Sequence, residues 1–152
     1  MKTILLIDLF LFTACDNTLE SERNELSKSL KKWNLSKPDN YSYEYQLSCY
    51  CSIEFRGSFK ITVEKNQIVD INYVGDYPNE IDSTRIDTNR LYISSIFTWI
   101  EEAIDEDPDD INVDYDNEFG FPSKFSVDYK KNTSDDEFNV KISNFIIHSF
   151  PQ

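Results

Sequence analysis

The chain has 152 residues, of which 39% are hydrophobic and 14% aromatic, enough apolar bulk for one packed domain and too few residues for two of ordinary size. Its 15 Lys and Arg against 28 Asp and Glu leave a net charge of -13, which excludes nucleic acid and anionic lipid headgroups as electrostatic partners. Only 3 Gly and 1 His are present, so we expect no glycine-rich phosphate loop, no metal and no cofactor.

The chain begins with the anatomy of a secretory signal. Lys2 is followed by an apolar stretch that ends at Phe12. This stretch is about half the roughly 20 residues that span a bilayer, so a transmembrane helix is not expected. Residues Thr13, Ala14 and Cys15 then resemble the bacterial lipobox, which implies cleavage before Cys15 and lipidation of its thiol. A soluble secretory signal or a buried N-terminal strand is the alternative.

This resemblance divides the chain into three parts. Residues 1–14 are predicted to be a lipoprotein signal peptide. Residues 15–24 are polar and acidic, and we expect them to form a tether between the lipid and the domain. Residues 25–150 then form a single domain.

In the first half of the domain we expect one helix and three strands. Leu26, Leu30 and Trp33 recur at helical spacing, and the helix is expected to end near Pro38. Strict alternation of apolar and polar residues predicts strands over 41–51 and 54–63. After a tight turn at residues 65–66, a third strand is predicted to share one face among Val69, Ile71 and Tyr73.

The second half repeats this order. A helix is predicted from about Ile93 to Asp105, with an apolar stripe at a period near 3.6 residues and a stop at Pro108. Three strands follow, marked by alternating apolar residues: Ile111, Val113 and Tyr115; Phe125, Val127 and Tyr129; Phe138, Val140 and Ile142. The fold class is therefore α+β, an antiparallel sheet of about six strands with two helices on one face, in a pseudo-duplicated αβββ–αβββ order.

Cys49 and Cys51 are the cysteines that remain for chemistry within the domain. Residues two apart on a regular strand have Cα atoms about 6.6 Å apart, so a disulfide between them requires the strand to bend. The pair is interpreted as a small-loop disulfide, as two buried thiols, or as a site of thiol exchange. Zinc is disfavoured because His148 raises the number of N and S ligands only to three.

Four aromatic residues are candidates for partner binding. Tyr41, Tyr43 and Tyr45 share one face of the first strand, where they form either a binding stripe or part of the core. Trp99 lies about 110° from the centre of the apolar stripe of the second helix. It is either an interface anchor or a cap on the margin of the core.

The remaining polar candidates have weaker patterns. Asp105, Asp107 and Asp109 have the spacing of a calcium loop, but Pro108 and Asp110 break its pattern, so a solvated acidic rim is preferred. Asp114, Asp116 and Glu118 alternate in the same way and are interpreted likewise. His148 has no evident nucleophile partner in the sequence, and we expect a surface residue at a strand end.

Several segments together resemble a bacterial lipoprotein family of unknown function, the domain of unknown function 6174. The resemblance extends from Trp33 to Phe145 and includes these segments: residues 40–51 with their Cys-Tyr-Cys end, residues 100–104, residues 115–122 with their Gly-Phe-Pro turn, and residues 127–129. It implies an exported or lipid-anchored bacterial domain with no assigned activity. The layout of helix and three strands is also similar to β-lactamase-inhibitor-like and PepSY-like exported domains, which bind proteins.

The expected function is a non-enzymatic module of the bacterial envelope, anchored through Cys15, that binds a protein or peptide along a free sheet edge or around Trp99. An envelope protein that binds a small ligand or a cation is the alternative. A thiol-exchange factor that uses Cys49 and Cys51 is a third hypothesis.

Overall fold

The computed structural model describes residues 17–51, 57–74, 87–133 and 135–149. The predicted signal peptide and Cys15 lie outside these ranges, as do the start of the second predicted strand and most of the loop before the second helix. The elements are α1 (Asn17–Ser36), β1 (Tyr41–Cys49), β2 (Gly57–Glu64), β3 (Gln67–Tyr73), a 3-10 turn (Thr88–Leu91), α2 (Ile93–Asp105), β4 (Asp110–Tyr115), β5 (Pro122–Asp128) and β6 (Glu137–Ile147).

The six strands form one antiparallel sheet in the order β3-β2-β1-β6-β5-β4. The predicted αβββ–αβββ order and the α+β class are confirmed. The two halves join through β1 and β6, which lie at the centre of the sheet. In the repeated order of elements, β1 corresponds to β4. If a two-fold rotation related the two halves, these two strands would lie side by side at the centre of the sheet. The structure has β6 beside β1, so the two halves are not related by such a rotation.

The core lies between one face of the sheet and both helices. Alternate residues of β1 and β2 are buried on this face, and they are paired across the two strands, as in Tyr43 opposite Ile61 and Tyr45 opposite Phe59. The helices contribute these buried apolar residues: Leu26 and Trp33 from α1, and Ile93, Ile96, Phe97, Ile100, Ala103 and Ile104 from α2. The stripe of α2 is the one that its periodicity predicts.

Helix α1 begins well before the predicted domain boundary. Its first turns cover residues 17–24, most of the segment that we expected to be a tether. Leu19 packs against the core there, and Arg23 forms an ion pair with Asp105 at 2.8 Å. The acidic composition of this segment predicted an extended tether exposed to solvent. In the structure the segment is instead the first part of the helix, and it makes contacts with the core and with α2. Within the described residues, no helix is long and apolar enough to span a membrane.

Strand β3 departs from the predicted alternation. Val63 pairs with Ile68 while Thr62 pairs with Asp70, so Val69 is an extra residue on β3. This bulge turns Val69 into solvent, where 53% of the residue is exposed, while Ile71 and Tyr73 pack against the core. The prediction that Val69 shares their face is therefore wrong.

The turn between β4 and β5 packs closely on α1. The Asp116 carboxylate accepts hydrogen bonds from the backbone N–H groups of Glu118 and Phe119, at 2.9 and 2.6 Å. Gly120 follows with φ +81°, and a Cβ at this position would lie 2.8 Å from the Ser29 carbonyl oxygen of α1. Glycine is therefore required at this position both for its backbone conformation and for the close approach of the helix.

Candidate binding groove

A predominantly apolar groove of about 350 Å³ lies between α2 and the ends of the two central strands. We call it the Trp99 groove. Its lining residues come from β1 and its continuation, from the 3-10 turn, from α2 and from the start of β6: Tyr45, Leu47, Cys49, Cys51, Arg90, Trp99 and Phe138. Alternation along β1 directs Tyr45, Leu47 and Cys49 to the same side of the sheet, which places them beneath α2.

Trp99 is half-buried and has aromatic neighbours on the sheet. Its ring stacks on Phe138 with centroids 4.3 Å apart and meets the edge of Phe125 at 5.9 Å. The Arg90 guanidinium lies over the same indole, 5.8 Å from its centroid. Trp99 thus closes the margin of the core, and it also forms a wall of the groove.

Arg90 is the charged residue among those that line the groove. Its Nε atom lies 3.6 Å from a carboxylate oxygen of Asp87, and both side chains are largely exposed. Burial raises the pKa of Tyr45 to about 12, and the positive charge of Arg90 acts in the opposite direction. The groove therefore combines apolar walls with a cation at its rim, in a protein whose net charge is strongly negative.

Cys49 and Cys51 are joined by a disulfide that forms part of the groove wall. Their Cα atoms are 5.2 Å apart, closer than in a regular strand, because β1 ends at Cys49 and the chain bends at Tyr50. Both cysteines are half-buried. The Tyr50 side chain between them points into solvent.

The three candidate tyrosines of β1 are buried and belong to the core. Tyr41 packs against Trp33, Phe145 and Tyr43, and the Tyr43 hydroxyl donates a hydrogen bond to the Leu91 carbonyl. Burial raises the pKa of Tyr41 to about 12 and that of Tyr43 well above its usual value. Of the three, only Tyr45 reaches the groove, so they do not form a continuous binding stripe.

The structure brings His148 to a partner that the sequence did not indicate. His148 Nε2 lies 2.9 Å from Ser42 Oγ, because β1 and β6 pair at this end of the sheet. A serine that is activated by histidine must be open to substrate, but Ser42 is 1% exposed. Among the described residues, no carboxylate bonds to the His148 ring. The pair therefore links two strands and does not form a nucleophilic site.

Three of the six acidic residues that resembled calcium ligands have structural partners. Asp105 pairs with Arg23, the Asp109 carboxylate accepts from the backbone N–H of Lys131 at 2.8 Å, and Asp116 holds its own turn. Asp107 has a positive φ of 54° beyond the end of α2. Over the parts of the chain that the structure describes, no three His, Cys, Asp or Glu residues are grouped to hold a metal ion.

A larger, acidic concavity of about 680 Å³ lies at the same end of the sheet. Asp110, Asp128 and Glu137 are neighbours across β4, β5 and β6, and they point away from the helices. Like charges that face each other across strands repel. One carboxylate oxygen of Asp128 is nevertheless buried, and it has no hydrogen-bond partner among the described residues. The solvated acidic rim that the sequence predicted consists of other residues, those at 105–109 and 114–118.

The sequence singled out Tyr45, Trp99 and the cysteine pair as separate candidates, which the structure brings together in the groove, but it gave no indication of Arg90, Leu47 and Phe138 as lining residues. Leu47 and Phe138 were already assigned to strand faces, and only the pairing of β1 with β6 shows that they meet. Nothing in the sequence marked Arg90 as a lining residue, because an arginine in a polar loop belongs to no periodic pattern.

These observations define an α+β protein in which two helices cover one face of a six-stranded antiparallel sheet and an aromatic groove opens beside the second helix. The chain belongs to a family of unknown function, DUF6174, whose model matches residues 25–147. The curated proteins contain no match to it, and neither do the solved structures.

Proposed function

We propose that this chain is a lipid-anchored protein of the bacterial envelope, and that it acts by binding an extended peptide in the Trp99 groove rather than by catalysis. The observation that carries the binding role is the apolar lining of this groove with one cation at its rim. Aromatic and aliphatic walls with one oriented polar group are typical of sites that hold a side chain and fix its direction.

The chemistry of the groove points to a peptide with an apolar side chain next to a carboxylate. The apolar side chain would lie between Leu47, Trp99 and Phe138, and the carboxylate would pair with Arg90. Arg90 and Trp99 also line a smaller depression of about 250 Å³, together with Ser95, Thr98 and Glu102. A peptide that extends from the groove into this depression would therefore meet polar side chains next to the apolar surface.

The anchor is supported by the first fifteen residues. A short basic start and an apolar stretch precede Thr13-Ala14-Cys15. Helix α1 begins at Asn17, two residues after Cys15. A lipid on this cysteine would hold the domain close to the membrane surface.

Mass spectrometry of native protein tests the anchor. We expect a chain that begins at Cys15 and carries acyl groups, and a Cys15→Ser variant that leaves the membrane fraction. An intact Met1, or an unmodified Cys15 in the wild-type protein, would contradict the anchor and leave the groove proposal standing.

NMR titration tests the groove. The chain has 2 Trp, so two indole N–H signals report separately on Trp99 in the groove and on Trp33 in the core. The probe is acetyl-Phe-Glu-amide, for which we expect binding in the millimolar range and a shift of the Trp99 signal alone. Acetyl-Ser-Glu-amide is expected to leave both signals unchanged.

A pair of charge variants tests the role of Arg90. Arg90→Gln is expected to weaken binding of acetyl-Phe-Glu-amide by roughly three- to ten-fold and to leave binding of acetyl-Phe-Gln-amide unchanged. Lys60→Gln removes the same charge from the exposed face of β2 and serves as the matched control. An equal loss of affinity in both variants would show a general charge effect. The absence of any shift of the Trp99 signal would overturn the proposed peptide binding in the groove.

A further inference from the structure

The disulfide between Cys49 and Cys51 is poorly placed to stabilise the fold. It closes a ring around a single residue, and in the chain-entropy model the stabilisation by a disulfide decreases as its ring shortens. It also links no two elements, because both cysteines belong to the end of one strand. β1 is already paired with β2 on one side and with β6 on the other. The contribution of the disulfide to the stability of the fold is therefore expected to be small.

The position of the disulfide is suited to thiol–disulfide exchange. Exchange requires a thiolate to reach a sulfur atom, and both cysteines are half-buried in the wall of an open groove. Trp99 and Phe138 offer an apolar surface beside the sulfurs, where the residue next to an incoming cysteine can pack. The guanidinium of Arg90 lines the same groove, and a positive charge stabilises the thiolates of both partners.

We propose that Cys49 and Cys51 form a thiol-exchange site that oxidises a pair of thiols on a polypeptide partner. A thiolate of the partner attacks one Sγ atom, the Cys49–Cys51 bond breaks, and the other sulfur leaves as a thiolate in the groove that Arg90 also lines. The second thiolate of the partner then attacks the partner's own sulfur in the mixed disulfide, and the bond between that sulfur and the first Sγ atom breaks. The partner ends with a disulfide, and Cys49 and Cys51 end as a dithiol that has gained two electrons and two protons. Each chain carries one disulfide, which accepts two electrons, so one chain oxidises one dithiol and the transfer is stoichiometric.

The preferred substrate is a dithiol segment with an aromatic residue beside a cysteine. This preference rests on the proposed function, which is peptide binding in the Trp99 groove, whereas the exchange step does not depend on that proposal. The two proposals therefore fail separately: the NMR titration uses thiol-free probes, and the exchange assay below includes a probe without an aromatic residue.

The exchange assay uses the full chain with Cys15→Ser, which leaves only Cys49 and Cys51. The probes are acetyl-Cys-Phe-Gly-Cys-amide and acetyl-Cys-Ser-Gly-Cys-amide, and alkylation with mass spectrometry follows the thiols of both partners. We expect one equivalent of probe to be oxidised per chain, with the Phe probe about five-fold faster than the Ser probe. A Trp99→Leu variant is expected to lose this preference, and Lys60→Gln is expected to retain it.

Two results would overturn the exchange site. One is a native disulfide that stays intact in excess dithiothreitol and becomes reducible only after denaturation. The other is a Cys49→Ser, Cys51→Ser double variant that fails to fold, because the bond would then be structural. Exchange at equal rates with both probes would retain the exchange site and remove the aromatic preference.

Discussion

Residues of the same type on one face of one strand have different roles in this protein. Tyr43 donates a hydrogen bond to the Leu91 carbonyl and joins β1 to the segment before α2. Tyr45 lies two residues further along, is equally covered, and makes no hydrogen bond through its hydroxyl among the described residues. The alternation of the sequence places both tyrosines correctly but does not distinguish them.

Tyr43→Phe is therefore expected to lower the free energy of unfolding by roughly 1–2 kcal/mol, because it removes the hydroxyl that pairs with a buried carbonyl. Tyr45→Phe is the matched control and is expected to change this free energy by less than about 0.5 kcal/mol. Urea unfolding of the two variants measures the difference. Equal losses would show that the hydrogen bond to Leu91 contributes nothing of its own.

The residues that carry the family resemblance converge mainly on one aromatic cluster. Trp33 packs against Tyr41, Phe121 and Phe145, with ring centroids 5.7 to 6.1 Å apart. This cluster joins α1, β1, the Gly-Phe-Pro turn and β6. Most of the recognisable pattern of this chain thus specifies how its elements pack, while Tyr45, Leu47 and the disulfide of Cys49 and Cys51 are the part of that pattern that reaches the groove.

At the level of elements, local sequence patterns predicted well which segments are helices or strands, and they predicted poorly how the strands pair with each other. The bounds of α2 agree with its periodicity, because one helix with one apolar stripe depends only on residues near in sequence. The prediction that the Val69 side chain faces the core was wrong, because a bulge depends on how β2 and β3 pair. The start of α1 was misplaced because the contacts of its first turns are made with residues far along the chain, as in the Arg23–Asp105 ion pair.

Because of the bulge, we expect substitution by lysine to have different effects on stability at Val69 and at Ile71 of β3. Val69→Lys is expected to change the free energy of unfolding by less than about 0.5 kcal/mol, because the side chain already points into solvent. Ile71→Lys is expected to cost on the order of 2 kcal/mol, because Ile71 packs against the core. Thermal or urea unfolding compares the two, and a larger loss at Val69 would contradict the bulge.

For the whole molecule, the buried tyrosines couple folding to alkaline pH. Burial raises the pKa of both Tyr41 and Tyr45 from the ordinary 10.0 to about 12, because the charged tyrosinate is disfavoured in the core. The unfolded chain therefore loses these protons at a lower pH than the folded chain. The stabilisation is fully present below pH 10 and is lost as the pH rises toward 12.

We expect the free energy of unfolding to fall between pH 10 and 12, with each buried tyrosine contributing up to about 1.4 kcal/mol per pH unit. Urea unfolding at a series of pH values measures this slope, and tyrosinate absorbance reports the ionisation. Tyr45→Phe is expected to make the slope shallower. A folded protein whose buried tyrosines ionise near pH 10 without loss of stability would contradict this coupling.

The sequence by itself determined the class of the fold, the order of its elements and the amphipathic face of α2, because these depend on periodic patterns over a few neighbouring residues. Only the tertiary structure placed β1 beside β6, bulged β3 at Val69 and assembled the Trp99 groove from Arg90, Trp99 and Phe138. These features depend on contacts between residues far apart in the chain, and no local pattern encodes which distant strand completes the sheet.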